Sequence, residues 1–461
     1  MKGIMRRVSI LPLLLSAACG SAPGMVTAAV EGPCIHALDY GAIADDTLDD
    51  RVALQLAINA AMAGPKCVDV CGFYYVTRDP RPNKTWIASL IASGIEIRGC
   101  GAAETTIAML GGIVGRRDWR ILDVSGEGSH VHDLALDGSS RCPGWTTGDP
   151  LCTDDQTHLL QVNGPASGTV LERLVVTLPP LDYGTSGGDC IRLLGAFDKW
   201  ITNTVIQDIE GPDCDRSLIG FQRALDGVAV RRVHSVVVGD QSLDFEPTGE
   251  TSFAGLAIMK NVLVENSVLS RGPNAQGAYT IGINGGGESV IENLRIQDTI
   301  VEDGGMFLSD VRSIDLVRLH LRNVPARTEP TVLAQKRVQG LRFIDTNLER
   351  VTGSVLGSVL KVNEHSGNAP ETVSFSGGGV YQRGEGTPIS TTTLGALTMV
   401  GSKIVYEGTD ATRSAIVSTG QSGPAGIVVL VDTVIQGGLA SAVKMAGNFL
   451  APPVLVRVTG P

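Results

Sequence analysis

The feature that most restricts this chain is a triplet, apolar–x–apolar, that recurs between Gly, Asn and Asp turns. One triplet per turn aligns by hand: Leu122-Asp-Val124, Leu160-Gln-Val162, Ile191-Arg-Leu193, Ile219-Gly-Phe221, Leu243-Asp-Phe245, Ile281-Gly-Ile283, Leu308-Ser309, Ala334-Gln335 and Leu360-Lys-Val362. The middle positions 192, 220 and 244 are 28 and 24 residues apart, and 282, 309, 335 and 361 follow at 27, 26 and 26. Wider steps (123 to 161, 161 to 192, 244 to 282) mark rungs that carry inserted loops. A unit of this length cannot bury its apolar face alone, so it stacks on copies of itself. The expected fold is an all-β solenoid.

Composition agrees. There are 57 Gly among 461 residues and aromatics make up only 4%, which suits short strands, many turns and a narrow aliphatic core. A formal charge of −11 argues against nucleic acid, since nothing neutralises phosphates in bulk. It leaves room for an anionic glycan if the cleft itself carries cations. Residues 1–29 are read as signal and tether, 30–110 as an N-terminal strand, cap helix and first rungs, and 111–461 as rungs ending in a C-terminal cap. Beyond about 340 the rungs lose acids and become rich in Gly, Ser, Thr and Val, with no chemistry visible.

The chemistry concentrates at Gln241-Ser-Leu-Asp-Phe-Glu-Pro247. If Leu243 and Phe245 point inward, Asp244 and Glu246 share the exposed face, about 6.5 to 7 Å apart along the strand. The exposed column through Asp244 reads Asp123, Gln161, Arg192, Gly220, Asp244, Gly282, Ser309, Gln335, Lys361; its neighbour reads Ser125, Asn163, Leu194, Gln222, Glu246, Asn284. With rungs about 4.8 Å apart, Asp244 lies between two glycines and about 10 Å from Arg192, with Gln222 and Asn284 flanking Glu246. The glycines are expected to clear space around the acids. Loops 139–155 with Trp145, 179–188 with Tyr183, 211–217, 247–255 and 272–278 would wall the groove. His130 and His132 share one face of another alternating strand, where a plain polar exterior is the simpler account.

The N-terminus has the parts of an export signal: Lys2, Arg6 and Arg7, then the apolar run Val8 to Ala18, too short to span a bilayer. Cleavage before an acylated Cys19, after Ala18, or near Val26-Thr-Ala-Ala29 all fit, so the mature chain is secreted, periplasmic or a membrane-anchored lipoprotein. Eight further cysteines lie before residue 215, an even number that reads as disulfides in an exported chain. Spacing favours Cys142–Cys152 and Cys190–Cys214. The sequon Asn83-Lys-Thr85 matters only in a glycosylating host.

Residues 37–63 run from a short strand into a helix expected over 47–63, with Thr47 as N-cap, Asp49 and Asp50 in the first turn, and Val52, Leu56 and Ala60 at helical spacing. The pattern "DYGA…DD…DD…ALQ.AINAA", followed by "CVDVCGFYYV" and "IEIRGCGAAETTI", resembles the opening of the pectate-lyase-like superfamily, which includes pectin-active enzymes and phage tailspikes. The resemblance covers residues 37–109 and is repeat-like beyond. It implies a single-stranded right-handed parallel β-helix whose N-terminal end is capped by this helix. Asp45, Asp46, Asp49 and Asp50 are then helix-cap and turn acids.

Three functions are weighed. A glycoside hydrolase would use Asp244 and Glu246 as acid and as base or nucleophile; the polygalacturonase motifs Asn-Thr-Asp, Gly-His-Gly and Arg-Ile-Lys are missing. A polysaccharide lyase would hold Ca²⁺ on Asp244 and Glu246, with Asp240 nearby, and set Arg192 beside them. A non-catalytic carbohydrate-binding or surface-structural β-helix would use the same acids in salt bridges. In each case the partner is a polysaccharide, acidic where Arg192 engages it, and Gln161, Gln222, Asn284, Asp123 and Lys361 line its path.

Overall fold

A rung is stable only when its backbone N–H and C=O groups are satisfied by the rungs on either side. The computed structural model describes residues 33–78, 87–111, 119–141, 157–179, 188–247, 257–272, 279–285, 290–323, 329–351, 357–363, 372–391, 396–419, 427–446 and 452–460. Among these, the strands pair in parallel with their counterparts one rung before and one rung after, except at the two ends of the stack, where one side is unpaired. The strands wind a right-handed parallel β-helix. The column that matters for function contains Trp119–Glu127, His158–Ser167, Ile191–Leu194, Ser217–Gln222, Gln241–Glu246 and Tyr279–Asn284.

The triplets do what their pattern requires. Leu122, Leu160, Ile191, Ile219, Leu243 and Ile281 stack in register, as do Val124, Val162, Leu193, Phe221, Phe245 and Ile283. All twelve are at most 1% exposed. Phe221 and Phe245 stack face to face with ring centroids 4.2 Å apart. The expected register fails one rung later. Gly282 pairs with Phe307, Phe307 with Leu333 and Leu333 with Lys361, so Ser309 and Gln335 belong to the neighbouring column after Asn284. The outward residues of those two rungs are themselves apolar, which erases the alternation that would have placed them.

One corner of each rung is a single residue in the left-handed region. Asp133, Arg173, Asp208, Arg232, Asn266, Asp298, Arg318 and Asp345 occupy it in successive rungs, with φ between 48° and 58°. That conformation disfavours any residue with a Cβ, though Asp and Asn tolerate it best. The arginines are compensated by reaching back one rung. Arg232 donates to both oxygens of Asp208 at 2.6 and 2.7 Å, and Arg318 to both oxygens of Asp298 at 2.6 Å. Arg173 clasps Asp133 in the same way at 2.7 and 2.8 Å.

The cap helix is Arg51–Ala63, four residues shorter at its start than expected. The preceding acids are consumed by the turn: Asp46 accepts from Leu48 N–H, Asp50 from Ile43 N–H, and Asp49 from the N–H groups of Arg51 and Thr77. Asp45 accepts from Phe73 N–H. These four aspartates are structural, as expected, but Thr47 is not the N-cap. The buried helix face is Leu54, Ala57, Ile58 and Ala61, while Val52 and Leu56 are about half exposed. Gln55 closes the first edge of the functional column, donating to Ile91 C=O at 2.9 Å and accepting from Ile91 N–H at 2.8 Å. It thereby imitates a missing strand and blunts an otherwise open edge.

Disulfides join Cys34–Cys67, Cys71–Cys100 and, as expected, Cys190–Cys214. Cys142, Cys152, Cys19, the signal region, Trp145 and Tyr183 lie outside the described residues. Peptide mapping of the non-reduced protein is expected to recover these three linked pairs. Their six thiols should react with an alkylating reagent only after reduction, and a free thiol at any of these six positions in the native protein would contradict the pairing.

Candidate active site

Asp244 and Glu246 project from one face of Gln241–Glu246, with Leu243 and Phe245 inward as expected. The expectation that both acids stand exposed is corrected for one of them: Asp244 is 3% exposed, whereas the Glu246 side chain is 33% exposed. What covers Asp244 is Arg216, which was not anticipated. Its Nε donates to Asp189 Oδ1 at 3.1 Å, and its Nη2 donates to Asp244 Oδ2 at 2.6 Å and to Glu246 Oε2 at 3.3 Å. The backbone holds Arg216 in place from both sides. Its N–H donates to Gly188 C=O, and its own C=O accepts from Asp240 and Gln241. The Cys190–Cys214 disulfide lies two residues away and draws Asp189 and Arg216 together.

Arg192 is not paired with Asp244. Its Nε donates to Gln222 Oε1 at 3.0 Å, and its Nη1 lies 2.8 Å from His158 Nε2. His158 Nδ1 accepts from the Asp189 N–H at 2.9 Å. Complete burial, followed by the charges of Arg192, Arg120 and Arg216, holds His158 well below its usual range and therefore neutral. Burial also pushes the Arg192 guanidinium down to about 10, opposed by Asp189 and assisted by Arg120 and Arg216. Asp244 moves the other way. Burial raises its carboxyl well above the usual value, Arg216 opposes this, and Glu246, Asp189 and Asp240 add to it. Asp240 is raised for the same leading reason. Three carboxylates thus converge on one guanidinium with Asp240 nearby, and Asp244, the more deeply buried acid of its strand face, is driven toward its protonated form. Arg216 Nη2 bridges Asp244 and Glu246.

The two glycines flanking Asp244 do not clear space for a ligand. A Cβ on Gly220 would lie 2.3 Å from Asp189 Oδ2, and one on Gly282 would lie 1.7 Å from Gln241 Oε1. Each glycine admits a protein side chain that packs against the acids. The remaining expected residues divide. Gln222 holds Arg192, and the register carried one residue past Phe245–Ile283 puts Asn284 beside Glu246. Gln161 is 1% exposed and donates to Asn163. Asp123, raised by burial against the pull of Arg120, lies four rungs from Asp244, roughly 19 Å away. Lys361 keeps its column but stands four rungs off on the other side, beyond Phe307 and Leu333. His158, Asp189 and Arg216 were missed, yet a signal for two of them was present. Asp189 precedes Cys190 and Arg216 follows Cys214 by two, so the expected disulfide implied that they meet.

No family model matches the chain. A stretch of 128 residues is 30% identical to mannuronan C5-epimerase AlgE1 of Azotobacter vinelandii, covering 26% of this chain and 9% of that protein. Against AlgE4 of the same organism the figures are 30% over 120 residues, 24% and 21%. The match therefore spans a minor part of those curated relatives. Among solved structures, the A-module of mannuronan C5-epimerase AlgE6 from Azotobacter vinelandii aligns over 92% of this chain and 99% of its own, with 16% identity and a TM-score of 0.49. The catalytic unit of a GH87 alpha-1,3-glucanase from Streptomyces thermodiastaticus aligns over 96% and 70%, with 14% identity and a TM-score of 0.38.

Two outcomes follow from the charge network. Arg216→Met should cost on the order of 3–5 kcal/mol in urea unfolding, because it strands the fully buried Asp189 without its partner. Asp244 has a raised folded-state pKa, so its stabilising contribution is complete below 3.8 and is lost as pH rises through the raised value. Asp244→Asn cannot ionise. Its melting temperature relative to wild type should rise between pH 4 and neutrality, and a constant difference would show that Asp244 does not titrate there.

Proposed function

We propose that the chain is an exported polysaccharide-active enzyme that transfers protons on a uronate-containing glycan at the Arg216–Asp244–Glu246 face. The observation that carries this is the pairing of unlike carboxyl groups on one strand. Asp244 is buried and driven toward its protonated form, and Glu246, two residues on, is open to a ligand. Such a pair supplies an acid and a base at fixed separation. Removal of a proton from the carbon next to a uronate carboxylate needs a base and a cation near that carboxylate. In this reading Glu246 is the base and Arg216 the cation. Arg192, buried against His158 and Gln222, positions Gln222 beside Glu246 and is not itself a substrate ligand in this reading. The 30% identical stretch supports a uronan as substrate, because those relatives are mannuronan C5-epimerases. The disulfides suit an exported protein.

Glycoside hydrolysis is the second reading, favoured by one distance relation. Asp244 and Glu246 both reach the same Arg216 nitrogen, at 2.6 and 3.3 Å, so their carboxyl groups are closer than the roughly 6.5–9.5 Å of an inverting pair and suit a retaining one.

The test is a panel of polymannuronate, other acidic glycans and neutral glycans, with and without a Ca²⁺ chelator. Inversion at C5 would be read by proton NMR, unsaturated product by absorbance, and chain cleavage by reducing ends. Asp244→Asn and Glu246→Gln should each lose on the order of a hundredfold or more in turnover while remaining folded. Activity confined to neutral glycans with new reducing ends would replace the first reading by the second. If both variants match wild type on the working substrate, or if the panel gives no signal, the acids are a structural ion network and the chain is a non-catalytic β-helix.

A further inference from the structure

Away from the acidic strand, His130–Asp137 turns His130 and His132 to the same outer face, with ring centroids 4.1 Å apart. Carboxylates reach them from both neighbouring rungs. Glu96, in the rung before, sets Oε1 2.9 Å from His132 Nε2. Glu172, in the rung after, sets Oε1 3.1 Å from His130 Nε2. One donor atom each from Glu96, His130 and His132 all fall within 4.8 Å of one another. The His132 side chain is only 6% exposed, while those of His130 and Glu96 are 30% and 25% exposed, which leaves an approach from solvent.

The decisive geometry is at His132. Its Nδ1 lies 2.6 Å from Asp133 Oδ2, the contact an Nδ1–H makes with an outer carboxylate. Its other nitrogen, Nε2, faces Glu96 Oε1 across 2.9 Å, so a nitrogen and a carboxylate oxygen from adjacent rungs are aimed at one point. Arg173 holds the surround, donating to Asp133 at 2.7 and 2.8 Å and pairing with Glu172 at 2.6 Å; its Nη2 also stands 3.2 Å from His132 Nδ1. A carboxylate behind a histidine is the arrangement that fixes the tautomer and aim of a metal-bound imidazole.

We infer that Glu96, His130 and His132, with Glu172 completing the set, form a site for a divalent transition metal that clips three successive rungs. Two imidazoles with carboxylates select Zn²⁺ or Co²⁺ over Ca²⁺ or Mg²⁺. Bonds of about 2.0–2.2 Å put neighbouring donors roughly 3.3–3.5 Å apart, so the two His–Glu contacts at 2.9 and 3.1 Å must open slightly while donors up to 4.8 Å apart close in. This site is independent of the glycan reading and would survive its failure.

The test uses the untagged, disulfide-intact chain with Co²⁺ as an optical probe and Zn²⁺ in calorimetric titration. Wild type should bind one ion per chain, show the intense visible bands of tetrahedral Co²⁺, and melt at higher temperature with metal. The double variant His130→Ala/His132→Ala should lose affinity at least a hundredfold. Asp133→Asn, which tolerates the left-handed corner, should lose about tenfold through the misaligned His132. Should the double variant fail to fold by circular dichroism, Glu96→Gln replaces it with the same expectation. No saturable binding up to ~0.1 mM free ion, or binding that these variants leave unchanged, would overturn the proposal.

Discussion

Everything in this molecule depends on parallel hydrogen bonding between rungs held in strict register. A slip of one residue would turn each triplet inside out, exposing Leu243 and Phe245 and burying Asp244 and Glu246 in the aliphatic core. Register is protected by like residues stacked on like: Phe221 on Phe245, and Phe343 on Phe375 at 4.3 Å in another column. Because the interior is committed to this stacking, chemistry is confined to outward side chains. Outward residues of adjacent rungs are brought within about 5 Å without any loop needing to fold precisely.

The candidate site exploits that proximity at an energetic cost. Asp189 is fully buried and Asp244 nearly so, and an isolated buried carboxylate would be far more expensive than either contact repays. Arg216 makes the arrangement tolerable by meeting three carboxylates at once, and its backbone is already fixed by hydrogen bonds to Gly188, Asp240 and Gln241. Burial first, and then the surplus of neighbouring acids, drives Asp244 toward its neutral form against the pull of Arg216. A second cationic centre, Arg192 with neutral His158, is kept apart on Gln222.

How much of this could be read from residues alone follows from where period-2 alternation survives. From Leu122 to Ile283 the outward positions are polar or glycine, and the register was legible to the residue. At Phe307 and Leu333 the outward residues are apolar, the contrast vanishes, and Ser309 and Gln335 were assigned to the wrong column. Strand acids were legible because they interrupt an apolar run. Arg216 and Asp189 were not, because they sit at a turn, where no period applies and only the Cys190–Cys214 link connects them. The glycines were legible as sites of close approach, but sequence carries no information on what approaches, and the occupants are Asp189 and Gln241.

The left-handed corner has a consequence for how such a chain can change length. Its occupants alternate in sign over long stretches, Asp133, Arg173, Asp208, Arg232, then Asp298, Arg318, Asp345, and each arginine grips the acid one rung behind it. Excising an acid's coil from within such a stretch would bring two arginines face to face and leave one in a strained backbone with nothing to hold, and excising an arginine's coil would bring two acids face to face. Excising two coils would restore the alternation. By this contact alone, the corner favours duplication or loss of coils in even numbers through these stretches, and it sets no parity where Asn266 or the glycines Gly377 and Gly401 interrupt the pattern.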